Sequence, residues 1–408
     1  MHRIEAELLI PGHGGPIRDG VVVLEGSRIG YAGPAGAAPR EWTASPGAPV
    51  TRAAAVMPGM WECHGHLLGT RTFDLAQLPL EPEALRAARC TRDLRAALDA
   101  GITSVRDVGG LGVHLARAVA EGLVDGPAIY GAGAILSTTG GHADLHSFPL
   151  DWMQDFSRRE GLMRLAHGPD DCARAVREQL RRNAKLIKVC ASGGVLSEVD
   201  DPIHQQFTAA ELRAIVEVAG LADRVVAAHC HGKPGIMAAL RAGVRTIEHG
   251  TFLDDEAMRM MKERGTFYVP TMMAAEGLKQ SLTDGYLPPV IEKKARLAMA
   301  SLHETVTKAV AMGLKIALGT DAAVYPHGKN AGEFEQLVSC GMKPVNALKA
   351  GTSVDAELLG VAGQTGSLEM GKSADVVAVP GNPEDDIRQT QKVMFVMKQG
   401  VVYRNDKK

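Results

Sequence analysis

Short alternations of apolar and polar residues open the chain. Between Gly14 and Pro34 the stretch GGPIRDGVVVLEGSRIGYAGP sets apolar side chains on alternate positions between glycine turns, the pattern of a half-buried antiparallel sheet. The segment Gly33 to Pro49 is rich in Pro, Ala and Gly and carries no period, so an irregular connection is expected there. The closing stretches TGSLEMGKSADVVAVPGNP and VMFVMKQGVVYRN again read strand, turn, strand. The two ends are therefore expected to pair into one small β-sandwich domain, residues 1–56 and 364–408.

From residue 57 to 363 the pattern changes to short apolar runs, each followed by a polar loop and a segment of helical period, the alternation that builds a parallel sheet. Eight strands are predicted, near Ala55 to Met57, Ile102 to Asp107, Ala128 to Ile135, Leu186 to Cys190, Val225 to His229, Val244 to His249, Phe267 to Pro270 and Lys315 to Asp321. Thr208-Ala-Ala-Glu211 is a capping box at the start of an apolar-periodic run, and predicts a helix there. The expected fold class is α/β, a (β/α)8 TIM barrel carrying the small β domain.

Composition agrees with that size. The chain has 408 residues, against roughly 250 for a bare barrel. It is 45% hydrophobic and 23% charged, which excludes a disordered chain or a collagen-like fibre. A net charge of -2 without long runs of either sign removes the electrostatic footprint of a nucleic-acid binder, so the expected partner is a small molecule. No apolar run approaches the ~20 residues of a membrane helix, and Glu5 and Glu7 sit where a secretion signal would be apolar, so a cytoplasmic location is expected. The six cysteines form no CxxC pair and read as reduced packing residues.

In barrels the chemistry sits at the C-terminal strand ends. Here the first predicted strand runs into His64-Gly-His66, the fourth carries Lys188, the fifth ends at His229, the sixth at His249 and the eighth at Asp321. Four imidazoles and a carboxylate on one rim suit a borderline divalent ion such as zinc. With 14 His in the chain, chance supplies roughly half a His-x-His pair, so the weight rests on joint placement at strand ends. Lys188 lies inside the apolar stretch LIKVC, where an unpaired ammonium would be costly. Either it pairs with a carboxylate, or it reacts with carbon dioxide to form an anionic carbamate able to join two metals. Lys185 has the opposite strand parity, which leaves Lys188 as the inward lysine. Cys63, Cys190 and Cys230 adjoin these positions and are expected to face the core.

Together these stretches resemble the metal-dependent amidohydrolase superfamily, in the branch of binuclear-zinc dipeptidases and carboxypeptidases that includes Xaa-Pro dipeptidase-like enzymes and ochratoxin-hydrolysing amidases. The matching segments are PGMWECHGHL, TTGGHAD, LIKVCASGG, VVAAHCHG, VRTIEHG, ALGTDA and LEMGKSADVVAV, in the family's order along nearly the whole chain. The resemblance implies that His64, His66 and Asp321 hold one divalent ion, His229 and His249 the other, and carboxylated Lys188 bridges them. It implies a hydroxide shared by the two ions, with Asp321 as proton acceptor and His142 polarising the scissile carbonyl. His231 occupies a position that in relatives touches the substrate carboxylate, and His327 lies in a loop able either to line the pocket or to face solvent. Two departures stand out: Glu62 replaces the usual Asp two positions before the first His, and Trp61 replaces a smaller aliphatic residue.

The expected activity is hydrolysis of an amide or peptide bond in a dipeptide or N-acyl amino acid. The alternatives are an esterase or lactonase, and a cyclic amide hydrolase or deaminase. Deaminases of the superfamily usually lack the bridging lysine and carry His-x-x-Glu where this chain has His229-Cys-His-Gly-Lys. A barrel serving only as a scaffold would have lost a ligand, and none is missing. Assembly into a homo-oligomer is a further expectation from the resemblance.

Overall fold

The run from Ala53 to Cys63 is apolar almost throughout, yet it forms two strands in two different sheets. Pro58 and Gly59 divide it: proline lacks the N–H a ladder needs, and any Cβ at position 59 would collide with the Thr103 side chain. In the computed structural model, which describes residues 1–39, 49–71, 75–160, 162–285 and 287–406, the strands are β1 His2–Leu9, β2 Ile17–Glu25, β3 Arg28–Pro34, β4 Val50–Pro58, β5 Met60–Gly65, β6 Ile102–Asp107, β7 Ala128–Gly131, β8 Ile135–Ser137, β9 Met163–Leu165, β10 Leu186–Cys190, β11 Val225–Cys230, β12 Thr246–His249, β13 Phe267–Val269, β14 Val376–Val379, β15 Phe395–Lys398 and β16 Val401–Asn405.

The predicted first strand at Ala55 to Met57 is thereby corrected. Those residues belong to β4, which pairs in parallel with β1 and antiparallel with β14. The strand that delivers His64 is β5. Both chain ends do meet, in one hydrogen-bonded sheet of order β16-β15-β14-β4-β1-β2-β3. Its buried face gathers Ile4, Leu9, Val22, Leu24, Val56, Val376, Phe395 and Met397. Of the expected irregular connection, residues 40–48 lie outside the described residues; before them the chain makes one 3-10 turn, Ala35–Ala37.

The central region holds two parallel sheets, of order β5-β6-β7 and β13-β12-β11-β10-β8-β9. The expected strand Ala128 to Ile135 is split into β7 and β8, because Gly133 takes φ 74° and turns the chain between them. Gly131 O, at the end of β7, accepts from Lys185 N at 2.8 Å, just ahead of β10. Residues 315–322, expected as the eighth strand, bond to β13 through Tyr268 N to Lys315 O (2.8 Å) and Ala317 N to Tyr268 O (2.9 Å). They reach β5 through Cys63 N to Leu318 O and His66 N to Ala322 O, both 2.9 Å.

The helix Ala209–Gly220 starts with the expected capping box: Thr208 Oγ1 accepts from Glu211 N, and the Glu211 carboxylate accepts from Thr208 N. Among the described residues, no helix is long and apolar enough to cross a membrane.

Candidate metal centre

The C-terminal ends of the parallel strands bring His64, His66, Lys188, His229, His249 and Asp321 to one place. His66 Nε2 and His64 Nε2 lie 3.3 and 3.6 Å from Asp321 Oδ1, and Lys188 Nζ lies 3.4 Å from His64 Nε2. One ligand atom from each of His64, His66 and Asp321 falls within 4.8 Å of the others, close enough for one ion. The His249 ring centroid is 4.8 Å from that of His64 and 4.6 Å from that of His229.

Each ring has a partner that orients it. His64 Nδ1 meets Glu248 Oε2 at 2.7 Å, His66 Nδ1 meets Gly109 O at 2.7 Å, and His249 Nδ1 meets Thr271 Oγ1 at 2.7 Å. Their Nε2 atoms are thus the ones left to face the centre. His229 is turned the other way, with Nε2 3.2 Å from Gly193 O.

Behind His64 lies an ion pair with no solvent contact: Arg106 Nη2 donates to both Glu248 oxygens at 2.8 Å. Burial would raise the Glu248 pKa, but Arg106 and His64 hold it well below the usual carboxylate range. Glu62, also fully buried, accepts from His64 N (2.7 Å), Thr320 N (2.9 Å) and Asn330 Nδ2 (2.6 Å), and from the Thr320 hydroxyl. It thereby joins β5 to the residue preceding Asp321, whose own N–H donates to His64 O at 2.6 Å.

The electrostatics favour lone pairs over protons on the rings. Burial, followed by the Lys188 cation, lowers His64 to about 4; burial lowers His229 and His249 further. Burial also lowers Lys188, which favours the neutral amine. Burial opposes ionisation of Asp321, yet its bond to His66 and the nearby cations bring it to about 2. His66 runs against the other rings: burial lowers it, but its bond to Asp321 outweighs this and raises it.

Three non-glycine residues at adjacent strand ends sit in the left-handed region: His249 (φ 64°), Thr271 (φ 54°) and Asp321 (φ 62°). Each costs on the order of 1–3 kcal/mol. The surroundings hold them there, for instance through Tyr268 Oη donating to His249 O at 2.9 Å. Such clustering of strained backbone marks working sites.

Two cavities open on the centre and share His142, Leu196, His229, His249, Asp321 and Val324. The one beside His64, His66 and Lys188 spans about 770 Å³, its open mouth included, and is walled by Leu68, Leu78, Ile135 and Met163. The other, about 540 Å³, is walled by Leu278, Met299, Leu302 and Pro270, with His231 and Thr251 in its lining. His142 stacks on His229 with centroids 4.2 Å apart; burial lowers its pKa to about 4. His231 Nδ1 meets Thr251 Oγ1 at 2.7 Å, and burial and then His142 lower its pKa to about 3. His327 lines neither cavity: its Nε2 lies 3.1 Å from His66 O.

All six cysteines are free and buried. Cys63, Cys190 and Cys230 each pack in an apolar cluster, as expected; Cys190, two residues from Lys188 on the same strand face, also lines the larger cavity. Glu248, Arg106, Thr251 and Thr271 were not singled out from the sequence. Arg106 carried a usable signal, a cation inside the strand Ile102–Asp107, the same argument that marked Lys188.

The amidohydrolase family profile matches residues 55–404, and the chain belongs to that family, as its motifs led one to expect. It is therefore a hydrolase. It is 38% identical to the ochratoxinase of Aspergillus niger across 98% of this chain and 86% of that protein. The crystal structure of A. niger ochratoxinase superposes with a TM-score of 0.92, at 36% identity over 99% of this chain and 95% of that one. A Xaa-Pro dipeptidase with methionine bound in its active site gives 0.91 at 34% identity, covering 99% of this chain and all (100%) of the other. A prolidase complexed with N-methylphosphonate-L-proline gives 0.90 at 32% identity, covering 99% of each chain.

Proposed function

We propose that this chain is a binuclear metal hydrolase that cleaves an amide or peptide bond in a small substrate bearing a carboxylate, such as a dipeptide or an N-acyl amino acid. The observation that carries the reading is the donor set: imidazoles of which three have Nδ1 already partnered, with burial favouring the neutral ring at His64, His229 and His249, converging with Asp321 and a buried lysine. His64, His66 and Asp321 would hold one divalent ion, zinc by donor type, and His229 and His249 the second. Lys188 would join them after its neutral amine attacks carbon dioxide, forming an N–C bond and releasing a proton to give a carbamate. When bound, the ions would acidify water and withdraw electrons from the scissile carbonyl.

The protein groups supply the rest. Asp321, ionised at neutral pH, accepts the proton of the attacking water and delivers it to the leaving nitrogen, which would otherwise depart as an unstable anion. His142 donates to the carbonyl oxygen as charge develops there. His231, in the smaller cavity, is placed to meet the substrate carboxylate. The bonds of residues 315–322 to β13 and β5, with that of Lys185 to β7, support a closed (β/α)8 barrel over residues 57–363, flanked by a terminal domain of residues 1–56 and 364–408.

Metal analysis and a substrate panel test this reading. Two ions per chain with turnover of dipeptides or N-acyl amino acids is the expected result. Turnover of aryl esters alone, or ammonia release with one ion per chain, would replace it with the esterase or deaminase alternative.

A further inference from the structure

A neutral imidazole donates from one nitrogen and accepts at the other, and the partner of Nδ1 decides which. For His142 that partner is Ser197 Oγ, at 3.1 Å. The Ser197 hydroxyl has one proton and two places to send it: His142 Nδ1, or Gly194 O at 3.3 Å. If the proton goes to Gly194 O, Ser197 must accept from Nδ1–H, and Nε2 is left as a bare lone pair. A bare lone pair repels a carbonyl oxygen.

Lys294 bears on that choice. It projects from the helix Pro289–Ala311, and its ammonium donates to Gly194 O (2.9 Å), to Asp200 O (3.0 Å) and to Ser197 O. Three protons meet three carbonyls of one loop. Gly194 O is therefore already bonded by a cation, at 2.9 Å against 3.3 Å for the Ser197 hydroxyl. The same loop is tied to His142 elsewhere. Gln206 Oε1 accepts from His142 N at 3.2 Å, Asp200 Oδ2 accepts from Gly194 N (2.7 Å) and Gln206 Nε2 (3.2 Å), and a Cβ at position 194 would strike the His142 ring.

We propose that Lys294 is a positioning residue for His142: by engaging the Gly194 carbonyl it leaves the Ser197 proton to His142 Nδ1, so that Nε2 carries hydrogen and the ring faces substrate as a donor. Lys294 lines neither cavity and acts only through the loop. The catalytic consequence rests on the reading of His142 as the carbonyl donor; the tautomer does not.

The test is nitrogen-15 NMR of histidine-labelled, zinc-loaded full-length protein, with the His142 signals assigned by their loss in His142→Asn. The wild type should show the Nε2–H tautomer, and Lys294→Met should shift it toward Nδ1–H; an unchanged tautomer overturns the proposal. Should Lys294→Met fail to fold, Lys294→Leu, which likewise removes both the donor and the charge, is read in its place by the same criterion. With N-benzoyl-L-phenylalanine as probe, kcat should fall about tenfold at constant metal content and nearly constant KM, and Lys294→Arg should restore it. In a His142→Ala background Lys294→Met should cost nothing more; an additional loss there would mean that Lys294 acts by another route. If His142→Ala alone leaves kcat unchanged, the donor reading of His142 fails, while the tautomer still decides the case of Lys294.

Discussion

The two sides of the centre are held by different forces. His64 rests on a dry ion pair, Arg106 with Glu248, whose members sit on β6 and β12. His249, His231 and His142 rest on hydroxyls instead: Thr271, Thr251 and Ser197. An ion pair removed from water gives a ring one orientation and is destabilising when half of it is lost. A hydroxyl donates or accepts as its neighbours require and forfeits less when deleted. The chain thus places its most rigid support under His64, between Asp321 and Lys188, and its adaptable support along the cavity that would receive substrate.

Lys188 lies between the two sides, and replacing it gives the largest expected effect. Lys188→Ala should abolish turnover and lower metal occupancy; two ions per chain with normal turnover would refute a joining role. Next comes the contrast itself. Glu248→Ala strands Arg106 as a buried cation and should cost about 3–5 kcal/mol of stability. Thr271→Val, of similar shape, should cost about 1 kcal/mol. Denaturant unfolding of the pair checks the order, and equal losses would dissolve the distinction.

His142→Ala should keep both ions and reduce kcat by about a hundredfold, measured as single-substrate kinetics beside metal analysis. A loss of metal with no specific loss of kcat would move His142 into the ligand set.

The smallest effect concerns Glu333, which caps the helix Met272–Thr283 just after Thr271 by accepting from Met272 N and Met273 N, both at 2.8 Å. Burial lifts its carboxyl to about 8. The folded chain therefore keeps a proton that the unfolded chain releases near pH 4.5, so this group's contribution is full at low pH and declines as pH rises from about 5 to about 8. Glu333→Gln should flatten that part of the Tm profile, and an identical slope in wild type and variant would reject the assignment.

Strand ends such as Ile102–Asp107 and Leu186–Cys190 were legible because a short apolar run and its parity are local properties. The Ala53 to Cys63 run was harder to read: hydrophobicity continues across Pro58 and Gly59, while sheet membership changes there. His327 illustrates the same limit within the site. Its loop was legible, but the direction of its ring was set by a carbonyl on a segment far back in the chain.

The order of residues was enough to assign the family, to put imidazoles, a lysine and a carboxylate on or just after five of the predicted strands, and to pair the two termini, since period and residue chemistry act over a few positions. Which ring nitrogen stays free, which side a cavity opens on and which cation lies behind His64 depended on the folded chain. Those outcomes come from contacts such as Arg106 with Glu248, 142 positions apart. Burial then sets their strength, because removing water is what makes a charge or a lone pair decisive.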